Sequence, residues 1–105
     1  MRVEHWDAAW GPLSEAAMRK RLEAEGYRVS RYVYPPGTYF PEHTHSVAKK
    51  DTVLRGRLRI GAEGHEFVLS AGDMIEIPAG TRHTAEVVGE DAVVSLDATR
   101  SPTGK

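Results

Sequence analysis

Residues 28–34 alternate apolar and polar side chains and are rich in aromatic and β-branched types, the pattern of a half-buried β-strand. Shorter segments of the same character follow, separated by clusters of glycine, proline and acidic residues. They predict further strands at 51–55, 58–60, 66–69, 74–77, 83–88 and 93–98. Many short strands with a turn after roughly every 8 to 12 residues are typical of a sandwich or barrel, not of alternating βαβ units. The pattern therefore predicts an all-β fold and leaves open which one.

One helix is predicted before the strands, over residues 14–25. The Ser14 hydroxyl can accept a hydrogen bond from a free amide of the first turn, so Ser14 caps the helix. Gly26 ends it, because glycine readily adopts the left-handed conformation found at helix C-termini. Apolar residues spaced by about 3.6 positions form one face of this helix: Leu13, Ala17, Met18 and Leu22. We expect that face to pack on the core.

The length of 105 residues suits one domain with one core. A chain of this size buries roughly two-thirds of the surface that its unfolded form exposes, enough to fold without staples. We divide the predicted domain, residues 1–105, into an N-terminal segment with the helix (1–26), a β-barrel (27–99) and a loose tail (100–105).

Composition and charge exclude some classes of protein. The chain has 40% hydrophobic residues, 28% charged residues and a net charge of -1, and it lacks cysteine, so it forms neither disulfides nor thiolate metal sites. The charge balance gives no sign of binding to nucleic acid or to a membrane surface. No apolar run approaches the roughly 20 residues that cross a bilayer, and Arg2, Glu4 and Asp7 stand where a signal peptide needs apolar residues. We therefore expect a cytoplasmic protein.

Asparagine and glutamine are absent as well, whereas arginine, glutamate, alanine and glycine are frequent. Loss of thermolabile residues together with many charges resembles the composition of a thermophile's protein. A GC-rich coding bias would give the same composition, and neither explanation bears on the chemistry.

Three histidines are placed as metal ligands would be. His43 and His45 are two residues apart, and on a strand such residues point to the same face, so both imidazoles can reach one ion. His83 begins another predicted strand, and closure of a barrel would bring it opposite the pair.

Two motifs around these histidines make the chain similar to the cupin superfamily. The first motif, G-x5-H-x-H-x3,4-E-x6-G, is matched at its glycines and histidines by Gly37, His43, His45 and Gly56. The second motif, G-x5-P-x-G-x2-H-x3-N, is matched by Gly72, Pro78, Gly80 and His83. The resemblance implies a double-stranded β-helix, or jelly-roll barrel, with one short N-terminal helix. It also implies a homodimer.

The chain departs from these motifs at two positions. Lys49 occupies the place of the glutamate, which removes the only anionic ligand that such sites normally have, and Val87 occupies the place of the asparagine, which is not a ligand. Three imidazoles still suffice for a divalent ion such as zinc, iron, nickel, manganese or copper, and they leave coordination positions open. We therefore expect a metal at His43, His45 and His83. The alternative is a barrel that has lost its metal.

Lys49 requires its own explanation, because an inward lysine beside a dication is costly unless a negative charge offsets it. Asp51 lies on the same strand face, and we expect the two to form an ion pair at the cavity wall. Two alternatives are that Lys49, Lys50 and Asp51 form a solvated edge and that Asp51 is a fourth metal ligand.

Other residues are weaker candidates. Arg82 could hold a substrate carboxylate or lie at the surface, and Asp97 could support a ligand histidine. Tyr39 and Phe40 are expected to line or cover the mouth of the barrel.

The remaining histidines and the tryptophans have no predicted role in the chemistry. We expect His5 to pack or lie at the surface and His65 to be exposed. Trp6 and Trp10 are predicted contributors to a dimer interface, because exposed aromatic residues seldom lack a partner.

Two functions fit these residues. The first is a small metalloenzyme, of the dioxygenase or isomerase type, in which the ion binds a compact anionic metabolite and Lys49 or Arg82 orients it. The second is a binding or sensing module without turnover. An inward Lys49 with a depressed pKa would favour the enzyme, and a solvent-facing Lys49 would favour the binder.

Overall fold

The predicted strands form two antiparallel sheets in the computed structural model, which describes residues 1–100. The strands are β1 Val3–Glu4, β2 Arg28–Tyr34, β3 Tyr39–His43, β4 Ala48–Thr52, β5 Arg57–Ala62, β6 His65–Leu69, β7 Met74–Ile77, β8 His83–Val88 and β9 Val93–Arg100. One sheet has the order β1-β7-β4-β9-β2 and the other β3-β8-β5-β6. The predicted all-β class is confirmed.

The helix α1 spans Glu15–Ala24 and packs on the outer face of the β1-β7-β4-β9-β2 sheet. Its cap is as predicted, because the Ser14 hydroxyl accepts a hydrogen bond from the Ala17 amide at 3.0 Å. The apolar face buries Met18 and Leu22 completely against Leu96 of the sheet. A short 3₁₀ helix, Ala8–Trp10, precedes α1. None of the helical segments within residues 1–100 has the length and apolar character needed to cross a bilayer.

Alternation along the strands separates two cores on the two faces of this sheet. The core between the sheets contains Val53, Leu58, Ile60, Leu69, Ile75, Ile77, Ala85, Val87 and Val93. The core under the helix contains Met18, Leu22, Tyr27, Met74, Leu96 and Ala98. Apolar side chains fill the space between the sheets at one end. At the other end, polar side chains surround a cavity.

The prediction of a strand at 51–55 was wrong by about three residues. The strand β4 covers Ala48–Thr52, and the backbone of Val53 already turns to bond Asp73. The pattern misled us because β4 carries buried charged side chains, which hydrophobic alternation does not reveal. Lys50, for example, is buried by ion pairs with Glu4 at 3.0 Å and Glu25 at 2.9 Å.

Two strands were missing from the prediction, and one of them, β3, carries a residue of the site. The β3 strand, Tyr39–His43, is interrupted by a bulge between Phe40 and His43 and contains Pro41, so its alternation is broken. The β1 strand, Val3–Glu4, is too short to give a pattern, but it pairs with β7.

The ends of the chain also differ from the prediction. The first residues of the chain were expected to form a loose end, but they are held by the pairing of β1 with β7 and by the imidazole of His5, which lies 2.6 Å from Asp73. The last strand continues to Arg100, and the rest of the predicted tail lies outside the described residues. Trp6 and Trp10 stack edge to face and pack against the core under the helix. This packing gives both rings a partner within the chain, whereas the prediction had left them exposed.

Candidate metal centre

His43 and His83 are brought together by strand pairing. They are direct cross-strand partners between β3 and β8, and their ring centroids are 4.3 Å apart. The bulge between Phe40 and His43 sets this register, since it shifts the end of β3 relative to β8. A local irregularity of β3 thus places two imidazoles side by side.

His45 reaches the same point from a loop. Our reasoning that His43 and His45 share one strand face was wrong in part, because β3 ends at His43. The loop is held in place by Gly80, whose amide donates to the His45 carbonyl oxygen at 2.8 Å. Gly80 has a φ of 79°, a conformation that residues with a side chain rarely adopt. One ligand atom from each of the three imidazoles lies within 4.8 Å of the other two.

Backbone contacts fix the orientation of two of the rings. His43 Nδ1 donates to the Pro41 carbonyl oxygen at 2.7 Å, and His83 Nδ1 donates to the Thr81 carbonyl oxygen at 2.9 Å. A carbonyl only accepts hydrogen bonds, so each Nδ1 carries a proton, and in the neutral form of such a ring the lone pair is on Nε2. Metal-binding histidines typically have this arrangement. In His45, Nε2 is buried and has no hydrogen-bond partner among residues 1–100. The donor set therefore fits a divalent metal.

The protonation of the histidines also fits metal binding. Burial lowers the pKa of His45, and the positive charge of Lys49 lowers it further. Burial likewise lowers the pKa of His83, against the hydrogen bond to Thr81, which raises it. Both imidazoles are therefore neutral at neutral pH, which is the form that binds a metal.

The histidines open into a cavity of about 200 Å³ between the two sheets. This volume is below the roughly 300 to 1,000 Å³ that is typical of drug-sized ligand pockets, so the cavity suits a compact ligand. Its lining residues are Tyr34, Phe40, His43, His45, Lys49, Asp51, Leu58, His83, Ala85, Ser95 and Asp97.

Lys49 lies inside this cavity, between two carboxylates. The predicted ion pair with Asp51 is present, with Nζ 3.6 Å from Oδ1. The closer partner is Asp97, which accepts a hydrogen bond from Nζ at 3.0 Å, and sequence reasoning gave it only a weak supporting role. The available signal was the spacing of two between Ser95 and Asp97, which puts both on the inner face of β9. The solvated edge at residues 49–51 is excluded, because all three side chains are buried.

Asp51 is a buried carboxyl group. Burial raises its pKa to about 6, with Lys49 lowering it and Asp97 raising it again. Asp51 and Asp97 are direct cross-strand partners between β4 and β9, so the two carboxylates lie side by side. The histidine cluster contains no carboxylate among residues 1–100, and Asp51 lies beside Lys49. The structure thus offers no geometry for Asp51 as a fourth ligand.

The weaker candidates lie in different places. Arg82 is exposed outside the cavity, where it pairs with Glu42 at 3.3 Å, so this position does not serve a ligand between the sheets. Phe40 lines the cavity as expected, whereas Tyr39 is 55% exposed and does not. His65 is exposed on β6.

Tyr34 and Ser95 also line the cavity, and sequence reasoning missed both. Ser95 donates to the Thr52 carbonyl oxygen at 2.7 Å, so its hydroxyl is engaged in the sheet. Burial raises the pKa of Tyr34, with Asp97 and Asp51 adding to the effect, so its phenol stays protonated. Both residues follow the alternation of β2 and β9, which could have identified them.

The fold and the two motifs agree with a comparison of family sequences. The cupin domain family matches residues 30–99, which is more than half of the chain. The chain therefore belongs to the cupin domain family.

Solved structures with this fold include a conserved protein of unknown function from Streptococcus pyogenes, with a TM-score of 0.65, 22% identity and coverage of 70% of this chain and 63% of that one. A cupin-like protein from Thermotoga maritima has a TM-score of 0.66 and 22% identity, covering 76% and 61%. KdgF from Halomonas has a TM-score of 0.62 and 22% identity, covering 73% and 72%. The chain spans less than two thirds of the length of the first two. Identities this low show the fold alone, and no curated protein sequence matches the chain.

Proposed function

We propose that this cupin holds a divalent metal ion at His43, His45 and His83 and acts as a small metalloenzyme on a compact anionic metabolite. The observation that supports this most directly is the convergence of three imidazoles within 4.8 Å, two of them with Nδ1 bound to backbone carbonyls. Rings oriented in this way present lone pairs to one point inside a cavity.

A bound dication would act as a Lewis acid, polarising an oxygen atom of the ligand. Three protein ligands leave positions open for that oxygen. Charge also favours an anion near the metal, because Lys49 offsets one of the carboxylates Asp51 and Asp97, and the dication outweighs the other. A carboxylate or an enolate that occupies the open positions has the required charge.

Lys49 does not act as a proton acceptor in this proposal. Burial would lower its pKa, but the charges of Asp51 and Asp97 outweigh burial and raise it, so the depressed pKa that would have favoured an enzyme is absent. Lys49 is a permanent cation that orients the two carboxylates. Asp51, with a pKa raised to about 6, is the better candidate for proton transfer.

A binding or sensing module is the second candidate function. It is favoured by the engagement of Lys49 in ion pairs and of Ser95 in a backbone hydrogen bond, which leaves few free reactive groups. A ligand that binds at the metal and is recovered unchanged after prolonged incubation would identify this function.

Elemental analysis of the purified protein tests the metal site. We expect roughly one equivalent of a divalent metal per chain, and its loss in the double variant His43→Ala/His45→Ala. His65→Ala is the matched control, because His65 is exposed and lies outside the cluster. A wild-type protein that cannot be loaded with zinc, iron, nickel, manganese or copper would contradict the proposal.

The family resemblance also leads us to propose a homodimer. Trp6 and Trp10 pack against the core under the helix, so we no longer expect these rings to form the dimer interface. Light scattering at micromolar concentration tests the assembly, and a mass of one chain would contradict it.

A further inference from the structure

The cavity has two chemically different sides. The histidine side comes from β3, the loop after it and β8, all belonging to or flanking one sheet. The opposite side comes from β4 and β9 of the other sheet and carries Lys49, Asp51 and Asp97. A ligand in this space would contact the histidines at one end and the charged groups of the other sheet at its other end.

The side opposite the histidines has more acceptors than donors. Two carboxylates share the single ammonium of Lys49, whose Nζ lies 3.0 Å from Asp97 Oδ2 and 3.6 Å from Asp51 Oδ1. The other oxygen of Asp97, Oδ1, lies 2.9 Å from Nζ but outside hydrogen-bond geometry. It is buried and has no hydrogen-bond partner within the described chain.

Neighbouring groups do not correct this imbalance. The Ser95 hydroxyl already donates to the Thr52 carbonyl oxygen. Lys49 is directed to the two carboxylates and is held protonated by them. Because two carboxylates share one ammonium and Asp97 Oδ1 accepts no hydrogen bond, a ligand that brings a hydrogen-bond donor to Asp97 would be stabilised there. A ligand that brings a second anion would be repelled.

We propose that the natural ligand has a carboxylate at the metal end and a hydrogen-bond donor, either a hydroxyl or an ammonium group, at the end that faces Asp51 and Asp97. The metal end rests on the proposed function. The donor end rests on the charges and the unpartnered oxygen of the opposite wall. The cavity volume of about 200 Å³ restricts the ligand to a compact acid of this type.

A set of four acids of similar length tests the proposal on the zinc-loaded protein by calorimetry. Pentanoate, 4-hydroxybutanoate, 4-aminobutanoate and succinate share one carboxylate and differ at the far end, which is methyl, hydroxyl, ammonium or carboxylate. We expect the hydroxyl or the ammonium compound to bind roughly five- to tenfold more tightly than pentanoate, since the donor meets a charged acceptor. Succinate should bind most weakly of the four.

Asp97→Asn is the test variant, and Asp91→Asn is the matched control in an exposed turn. Loss of the Asp97 charge should raise the affinity for succinate relative to 4-aminobutanoate roughly tenfold, because a repulsive and an attractive contact are removed together. The control should leave this ratio unchanged. If Asp97→Asn fails to fold, the ranking of the four acids on the wild-type protein tests the proposal.

The proposal is overturned if pentanoate binds as tightly as both donor compounds, if succinate binds best, or if no acid binds the zinc-loaded protein. Failure to bind zinc is a separate result, which counts against the proposed function. The ranking is then measured on the metal-free protein, which keeps Lys49, Asp51 and Asp97 on the opposite wall. The same order is expected there, with weaker binding of all four acids because the carboxylate end has lost the metal, and a reversed order overturns the inference.

Discussion

The ammonium of Lys49 lies 2.9 Å from a carboxylate oxygen of Asp97, on the strand next to its own. Lys49 stands where the motif of this family has a glutamate, and the acidic groups of the cavity are instead Asp51 and, on the neighbouring strand, Asp97. The wall opposite the histidines is therefore ion-paired.

Lys49→Met should destabilise the protein by about 3 to 5 kcal/mol, because it leaves the buried carboxylate of Asp51 and the half-buried one of Asp97 without a counter-charge. Urea denaturation at pH 7 measures the loss. Lys50→Met is the matched comparison on the other face of β4, where the partners Glu4 and Glu25 are 43% and 36% exposed and can be solvated instead. We expect a loss of only about 1 kcal/mol there. Equal losses of stability in the two variants would show that the ion pairs of Lys49 are no more shielded from solvent than those of Lys50.

The free energy of unfolding of the Asp51→Asn variant should increase relative to that of the wild-type protein as the pH rises. The folded pKa of Asp51 is raised to about 6 from 3.8, so its contribution to stability is fully present below pH 3.8 and is lost as the pH rises through 6. The amide cannot ionise and avoids that loss, so the difference in unfolding free energy should move by roughly 1 to 3 kcal/mol in favour of the variant between pH 4 and pH 7. Chemical denaturation of both proteins at these two pH values gives the difference. A constant difference would mean that Asp51 ionises normally.

Zinc affinity should be nearly independent of pH between 7 and 8 and fall on acidification. Burial holds the pKa of His45 and His83 below 6.5, so no protons need to be displaced from these rings at neutral pH. Below that range protons compete with the metal for the same lone pairs. Competition with a chelator of known affinity measures the profile. A steep decline that begins above pH 7 would contradict the assigned protonation.

Gly80→Ala should weaken metal binding as well as stability. Gly80 has a φ of 79° and holds the His45 carbonyl, so a side chain there strains the loop that carries a ligand. Gly64 is the matched control, since it has a φ of 78°, also has open space at the Cβ position, and lies in the β5–β6 turn. Both alanine variants should lose about 1 kcal/mol of stability. A decrease in zinc affinity is expected for Gly80→Ala only, and equal affinities would contradict the role of this loop.

Much of the fold was predictable from alternation, as the agreement at β2, β7 and β8 shows. Prediction failed where charge replaces apolar side chains, because β4 is buried through ion pairs that depend on distant residues such as Glu4 and Asp97. The bulge in β3 and the loop position of His45 were also inaccessible, since they depend on pairing with β8 and on the Gly80 contact.

The candidate site also contains residues that the sequence predicts and residues that it does not. His43, His45 and His83 were predictable because their spacing follows two motifs. The alternation of β9 could have placed Asp97 at the cavity, but its ion pair with Lys49 was not predictable, because that contact arises from the register that places Asp51 opposite Asp97. Pairing between strands that are distant in the sequence leaves no local pattern to find.

Because β4 contains two consecutive lysines, Lys49 and Lys50, charge contributes to the register of this strand in its sheet. If the strand slipped so that Lys50 took the place of Lys49, a lysine would still face the cavity, although Val53 would leave its buried position in the core between the sheets. Asp51 would then occupy the position of Lys50, beside Glu4 and Glu25, and three negative groups would crowd together under the helix. Repulsion in the misaligned form therefore disfavours the wrong register of β4, in addition to the apolar packing of Val53.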